Sequence, residues 1–219
     1  MTAAVLSANL GNFDTPHQPI TQLGINYLQH TFTDEDFPPI TGLTPRFQYR
    51  IPKIFGWQIF PGRQYYLWMD AAFTLATPDS LKWFVDRIGN NDFAFFAHPN
   101  RNTIREEVDH IEEQLNKKGK TKGSRYLLDR YENGLHKEQY TDICLDKDYV
   151  DDKLYHSGVF IYKDSEHTRD VMRLWWMHQS RYWTCDQVAL PYVLKDSAVV
   201  TLPGAPDNCE HIMRVSSHA

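Results

Sequence analysis

Tyr65-Tyr66-Leu67-Trp68-Met69-Asp70-Ala71-Ala72 is the stretch on which the reading of this chain turns. The run Tyr65 to Met69 is rich in β-prone residues and stops at a carboxylate. An acidic residue directly after an apolar strand sits at the C-terminal edge of a sheet, where α/β folds place their sites. Upstream, Ala3 to Ala8 reads as a first strand breaking at Asn9-Leu10-Gly11-Asn12. Ile25 to Leu28 is a second apolar run, followed by Phe32-Thr33-Asp34-Glu35-Asp36. Downstream, Pro78-Asp79-Ser80 opens a helix carrying Leu81, Phe84, Val85 and Ile88 at helical spacing, and Phe93 to Ala97 reads as a strand ending at His98-Pro99.

The clearest helix follows. Thr103-x-x-Glu106 is a capping box, and Ile104, Val108, Ile111 and Leu115 recur at spacings of four, three and four. The segment from there to Asp152 is polar and supports no assignment. Gly158 to Tyr162 reads as a strand, Ser165 to Arg181 as a helix, and another helix begins near Thr184. Strands alternating with helices, with polar residues clustered just after the strand ends, predict an α/β sheet with its site at the strand C-termini. No repeat, low-complexity tract or linker divides residues 1–219, so a single domain is expected.

Composition narrows the function. The 219 residues suffice for one hydrophobic core. Hydrophobic residues at 42% and charged residues at 23% exclude wholesale disorder. Lys+Arg 23 against Asp+Glu 28 leaves −5, which argues against a nucleic-acid partner. No apolar stretch approaches the ~20 residues of a membrane span, and Met1 to Gly11 lacks the basic start of a signal peptide. Cys144, Cys185 and Cys209 are odd in number and far apart, as free thiols are in a reducing compartment. A soluble cytoplasmic protein is expected.

Three acidic clusters could hold a divalent cation. Asp34-x-Asp36 and Asp146-x-Asp148 have the spacing for two carboxylates to converge, whereas Asp70 has the position. Such hard oxygen ligands suit Mg²⁺ or Mn²⁺, above all when substrate phosphates complete the shell. Asp146-x-Asp148 belongs to an acidic run with Asp151 and Asp152 and reads as solvated surface. A metal phosphoesterase built on Asp34 and Asp36 is one function the spacing allows. Lys117-Lys118-Gly119-Lys120-Thr121-Lys122-Gly123 reads as a solvated basic loop, with an anionic-acceptor site as the alternative.

The order of several short motifs resembles a family. Tyr49-Arg50-Ile51-Pro52, Phe60-Pro61 and Tyr65 to Ala71 resemble the segment before the metal motif in nucleotide-sugar glycosyltransferases of the GT-A fold. His156-Ser157-Gly158-Val159-Phe160 resembles the N-(S/A)-G-V strand of the retaining glycogenin and lipopolysaccharide-galactosyltransferase group, and Asp186-Gln187 resembles its DQ pair. Phe32-Thr33-Asp34 and His98-Pro99-x-Arg101 resemble motifs of a poorly characterised glycosyltransferase-like family with a W-(I/M)-D-A signature. The whole, from about residue 3 to 211, is similar to chlorella-virus-encoded glycosyltransferases of capsid glycan synthesis.

The resemblance implies a single GT-A-like, Rossmann-like α/β domain with a mixed central sheet flanked by helices, possibly one module of a longer polypeptide and, if viral, working in the host cytoplasm. It implies transfer of a hexose or deoxyhexose from a nucleotide sugar, in particular a UDP-sugar, to a glycan or glycoprotein acceptor with retention. Asp70 would hold Mn²⁺ or Mg²⁺ on the donor diphosphate, with His211 as the late metal-binding histidine. Asp186 and Gln187 would face the transferred sugar; if the enzyme inverts, Asp186 is the candidate general base. Ser7, Ala8, Asn12 and Asp34 would flank the nucleoside. Arg50 matches the family's phosphate-binding arginine, with Lys53 and Arg101 as further cations. Trp68, Tyr182 and Trp183 are the aromatics expected beside a sugar. Two departures stand out: Asp70-Ala71-Ala72 lacks the second carboxylate of DxD, and His156 replaces the usual Asn. The missing carboxylate is also what a non-catalytic sugar-nucleotide-binding module would show.

Plainer readings fit some of these residues. Thr184-x-x-Gln187 is itself a capping box with Asp186 in the first turn. Trp175 and Trp176 suit a helical core, Arg101 could pair with Glu106, and His211 could lie in an exposed tail.

Overall fold

In the computed structural model of the chain, Tyr65–Met69 is a strand (β3), as its composition dictates. The structure describes residues 1–117 and 134–216. β3 belongs to a six-stranded sheet with β1 (Thr2–Ala8), β2 (Asn26–Phe32), β5 (Phe93–Ala97), β6 (Tyr155–Lys163) and β7 (Val199–Leu202), in the order β2-β1-β3-β6-β5-β7. β1 runs parallel to both β2 and β3, β3 pairs antiparallel with β6, and β5 and β7 are parallel. The sheet is therefore mixed, and the fold is α/β. The first register pairs Ala3 with Tyr65 and Leu6 with Trp68, so β1 and β3 end side by side.

Two compact units emerge along the chain, the first comprising residues 1–96, 158–170 and those from 197 on, the second 97–157 and 171–196. In the first, α1 (Pro45–Gln48) starts at Thr44, whose side chain accepts the Phe47 N–H, with Pro45 at the first helical position. α2 (Arg50–Ile59) lies on β1, and the approach is close: a Cβ on Gly56 would stand 2.3 Å from Leu6 Cδ1. α3 (Ser80–Ile88) buries Leu81, Phe84, Val85 and Ile88, the stripe its spacing predicts. They share a core with Val5, Leu67, Met69, Phe96 and Ile161. A short antiparallel ribbon of β4 (Phe73–Leu75) and β8 (Ile212–Arg214) closes the unit.

The second unit has its own core of Ile104, Val108, Ile111, Ile143, Leu154, Cys185 and Val188. Its helices include α4 (Ile104–Asn116), α5 (His136–Cys144) and α7 (Asp186–Val193), and it takes up all but the first turn of the long α6 (Glu166–Tyr182). The capping box at Thr103 forms: its hydroxyl accepts the Glu106 N–H at 3.1 Å, while Glu106 returns to the Asn102 N–H at 2.6 Å. The polar segment without an assignment contains α5. A second difference concerns α7, whose N-cap is Cys185 rather than Thr184. The Thr184 hydroxyl instead donates to Gln139 Oε1 at 2.5 Å, because it is fully buried and turned toward α5. The basic loop beyond Lys117 lies outside the described residues. Among the described residues no helix is long and apolar enough to cross a membrane.

Candidate functional site

Because β1, β2 and β3 are parallel, their C-terminal ends Ala8, Phe32 and Met69 lie along one edge, and β1 separates the other two. That is a switch point of the kind that opens a crevice beyond the strand ends. Loops from β1 and β2 are tied together there. Asn9 N–H donates to Phe32 O at 2.8 Å, and Asp34 Oδ1 accepts the Gly11 N–H at 2.8 Å. Gly11 takes a φ of 71°, and Asn12 a φ of 51°, so the loop turns sharply at the strand end. Ser7, Ala8, Asn12 and Asp34 are thus brought to one edge. The Ser7 hydroxyl is buried without a hydrogen-bond partner among the described residues.

Asp70 follows two positions beyond the Leu6–Trp68 pair, on the same edge. Its backbone is fixed on both sides, the N–H donating to Gly158 O at 2.7 Å and the carbonyl accepting from Phe73 N–H at 2.8 Å. Its side chain is about a third exposed, and Oδ1 accepts the Trp68 indole N–H at 2.8 Å. The Lys53 ammonium lies 3.6 Å from the same oxygen, with its side chain only 1% exposed. That ammonium also lies over the rings of Tyr49, at 5.5 Å, and Trp68, at 5.8 Å, which replace part of the water it loses. Lys53, then, is a cation held beside Asp70. Arg50, one turn earlier on α2, is buried with its guanidinium 5.1 Å over the Phe47 ring. Trp68 is fully buried and orients the carboxylate, which removes it as a sugar platform.

The absent second carboxylate has a structural cause. Ala72, where DxD would place it, is 1% exposed and belongs to the first unit's core with Phe73 and Leu75. His211 is likewise held elsewhere. The β4–β8 register brings His211 beside Ala76, while Val215 bonds to Ala72 at the end nearer Asp70. Its ring is buried, not an exposed tail, and stacks on Trp83 with centroids 4.7 Å apart. The structure therefore does not bring His211 to Asp70, and no group of three His, Cys, Asp or Glu able to hold a metal occurs among the described residues. Asp70 Oδ2 accepts no hydrogen bond among the described residues. One such carboxylate fits a cation that arrives on a diphosphate and does not fit a preformed protein cage.

The two literal DxD sequences are engaged otherwise. Asp34 holds Gly11, whereas Asp36 caps the Thr33 N–H at 2.9 Å and meets His30 at 3.3 Å, so their carboxylates do not converge. Asp146 pairs with Lys195 and accepts from Tyr192, and Asp148 donates its N–H to Asp146.

In the second unit, Asp186 is the first residue of α7 and is buried, a placement the helix dipole favours for a carboxylate. Its carbonyl accepts the Trp175 indole N–H at 3.2 Å, which places Trp175 in the core. Gln187 Oε1 is buried with no hydrogen-bond partner among the described residues. Tyr182 is buried and donates to Asp142, which leaves it no open face for a sugar, whereas Trp183 is half-buried with a φ of 53°. Sequence reasoning missed Glu107 altogether. This buried carboxylate takes the Arg101 guanidinium at 2.5 Å, in place of the expected Glu106, and its signal was the His98-Pro99-x-Arg101 motif.

A family model described as "TOD1/MUCI70, glycosyltransferase-like domain" matches residues 43–202. No curated protein matches the chain. Among solved structures, the WbbM bifunctional glycosyltransferase in its apo form is similar with 15% identity and a TM-score of 0.41, over 81% of this chain and 28% of that one. Apo mouse xyloside xylosyltransferase 1 is similar with 10% identity and a TM-score of 0.41, over 82% of this chain and 64% of that one. The chain spans less than two thirds of either structure.

Proposed function

The chain belongs to the TOD1/MUCI70 glycosyltransferase-like family, and from that membership we propose that it transfers a hexose or deoxyhexose from a UDP-sugar to a glycan acceptor, with retention and with the help of Mn²⁺ or Mg²⁺. One observation carries the reading: Asp70 stands half-open at the edge where β1, β2 and β3 end, with its Oδ1 fixed and its Oδ2 unengaged among the described residues.

A departing nucleoside diphosphate needs its growing charge neutralised as the glycosidic bond breaks. A divalent cation, when bound with the donor, supplies that neutralisation. The chain's own residues prepare for it. The Trp68 indole N–H and the Lys53 ammonium hold Oδ1, so that Oδ2 is presented in a fixed direction. Lys53 also lowers the affinity of Asp70 for free metal, because a cation already sits 3.6 Å away. Metal and nucleotide sugar would accordingly bind together. Ser7 and Asn12 would flank the nucleoside, with the buried Ser7 hydroxyl as a ready donor; Asp34 would shape that edge through Gly11. The sugar-facing role of Asp186 and Gln187 rests on the family resemblance. With its ring stacked on Trp83, His211 takes no part in this reading of the metal site.

The phosphoesterase reading loses its support, since Asp34 and Asp36 bond in different directions. The binding-module reading draws on Ala72, but the burial of Ala72 accounts for the missing carboxylate. A thermal-shift screen of nucleotide sugars with Mn²⁺, followed by measurement of released UDP, tests the proposal. A UDP-sugar that raises the melting temperature and is then turned over supports it. Binding without turnover, with or without glycan acceptors, contradicts it in favour of a module.

A further inference from the structure

The residues just before and at Asp186 are each pinned by a different helix of the second unit. Thr184 donates to Gln139 of α5 at 2.5 Å, the Cys185 thiol faces Glu107 Oε1 of α4 at 3.6 Å, and the Asp186 carbonyl accepts from Trp175 of α6 at 3.2 Å. An ordinary N-cap is Ser, Thr, Asp or Asn bonding its own helix. Cys185 caps α7 without any such bond and turns its thiol to a buried carboxylate instead. Glu107 is in turn held by Arg101, and Arg101 is held by His98. The His98 Nδ1 faces the backbone N–H groups of Asn100 and Arg101 at 3.3 and 3.2 Å, and its Nε2 faces Arg101 Nη2 at 3.1 Å. A protonated ring would confront three donors; burial and Arg101 accordingly press its pKa down to about 4.

A buried ion pair is a weak source of stability, because desolvation offsets most of the attraction. Its use here is geometric. We propose that Glu107, with Arg101 as counter-ion, is a positioning residue for Asp186, fixing the N-cap of α7 and with it the direction of the helix's first residue. This rests on the reading that Asp186 faces the transferred sugar. It also gives the His98-Pro99-x-Arg101 motif a role: it holds the guanidinium that keeps Glu107 in place.

Hydrolysis of UDP-glucose with Mn²⁺, read beside hydrogen exchange at residues 186–189, tests the proposal. Glu107→Gln and Cys185→Val should each lower kcat about tenfold while KM changes less than about twofold. Cys185→Ser keeps a donor to Glu107 and should restore kcat. On an Asp186→Asn background Glu107→Gln should have no further effect, since the two act as a unit. Unchanged kcat in both Glu107→Gln and Cys185→Val, or fully additive effects with Asp186→Asn, overturns the proposal. Should Glu107→Gln fail to fold, Cys185→Val carries the same comparison without leaving a buried charge. If Asp186→Asn retains full kcat, or the wild type does not turn over UDP-glucose, the functional reading is what fails. Exchange then decides alone: about tenfold faster exchange at 186–189 in Cys185→Val supports the anchor, and unchanged exchange overturns it.

Discussion

Asp70 and Ala72 are two residues apart and have opposite environments, which explains why only the first carboxylate of a DxD pattern is present. The end of an apolar run marks Asp70 in the sequence, since a carboxylate there must face the edge of the sheet. Nothing in the sequence shows that the turn carries Ala72 back into the core. Substituting Ala72→Asp therefore does not rebuild a DxD site. It buries a carboxylate among apolar side chains and should cost about 2–5 kcal/mol of stability, measured by denaturant unfolding, with no gain in Mn²⁺ affinity by calorimetry. Lys53 was harder to read: a lysine on a short helix is ordinarily exposed, and only the fold shows its ammonium buried between Tyr49, Trp68 and Asp70. At the same scale, His211→Ala should leave metal activation unchanged, because the ring stacks on Trp83 away from Asp70. A weakened Mn²⁺ dependence of UDP release in His211→Ala would contradict that assignment.

Among elements, those with strong local signals were legible. Periodicity gave α3, and the Thr103 cap gave the start of α4, where Thr103→Ala should cost about 1 kcal/mol in chemical denaturation. The start of α7 was misread, because a capping-box pattern at Thr184 to Gln187 is a local signal and the burial of Thr184 against Gln139 is not. α5 escaped for a related reason: its sequence, His136 to Cys144, has few apolar residues, and its register is set by packing on α4 and α7. The contact of α2 with β1 depends on Gly56. Gly56→Ala should cost about 1–3 kcal/mol, because the new methyl meets Leu6 in a packed core.

For the molecule as a whole, the α/β class and the strand-end position of Asp70 followed from the alternation of runs in the sequence. The β4–β8 ribbon and the grouping into two units did not, since three-residue strands leave no periodicity to detect. Titration gives a global readout. His98 is shifted down from 6.5 to about 4, so between those values the unfolded chain binds a proton that the folded chain refuses. Stability is then fully present above pH 6.5 and falls as the pH drops toward 4. His110 and His178, also lowered by burial, act in the same sense. His98→Gln should flatten the decline in unfolding free energy over that range. The central claim, that this is a glycosyltransferase with its diphosphate end at Asp70, is tested most directly by UDP release from a UDP-sugar with Mn²⁺ in wild type and Asp70→Ala. The account predicts a loss on the order of a hundredfold with the melting temperature essentially retained, and undiminished turnover in a folded Asp70→Ala variant would contradict it.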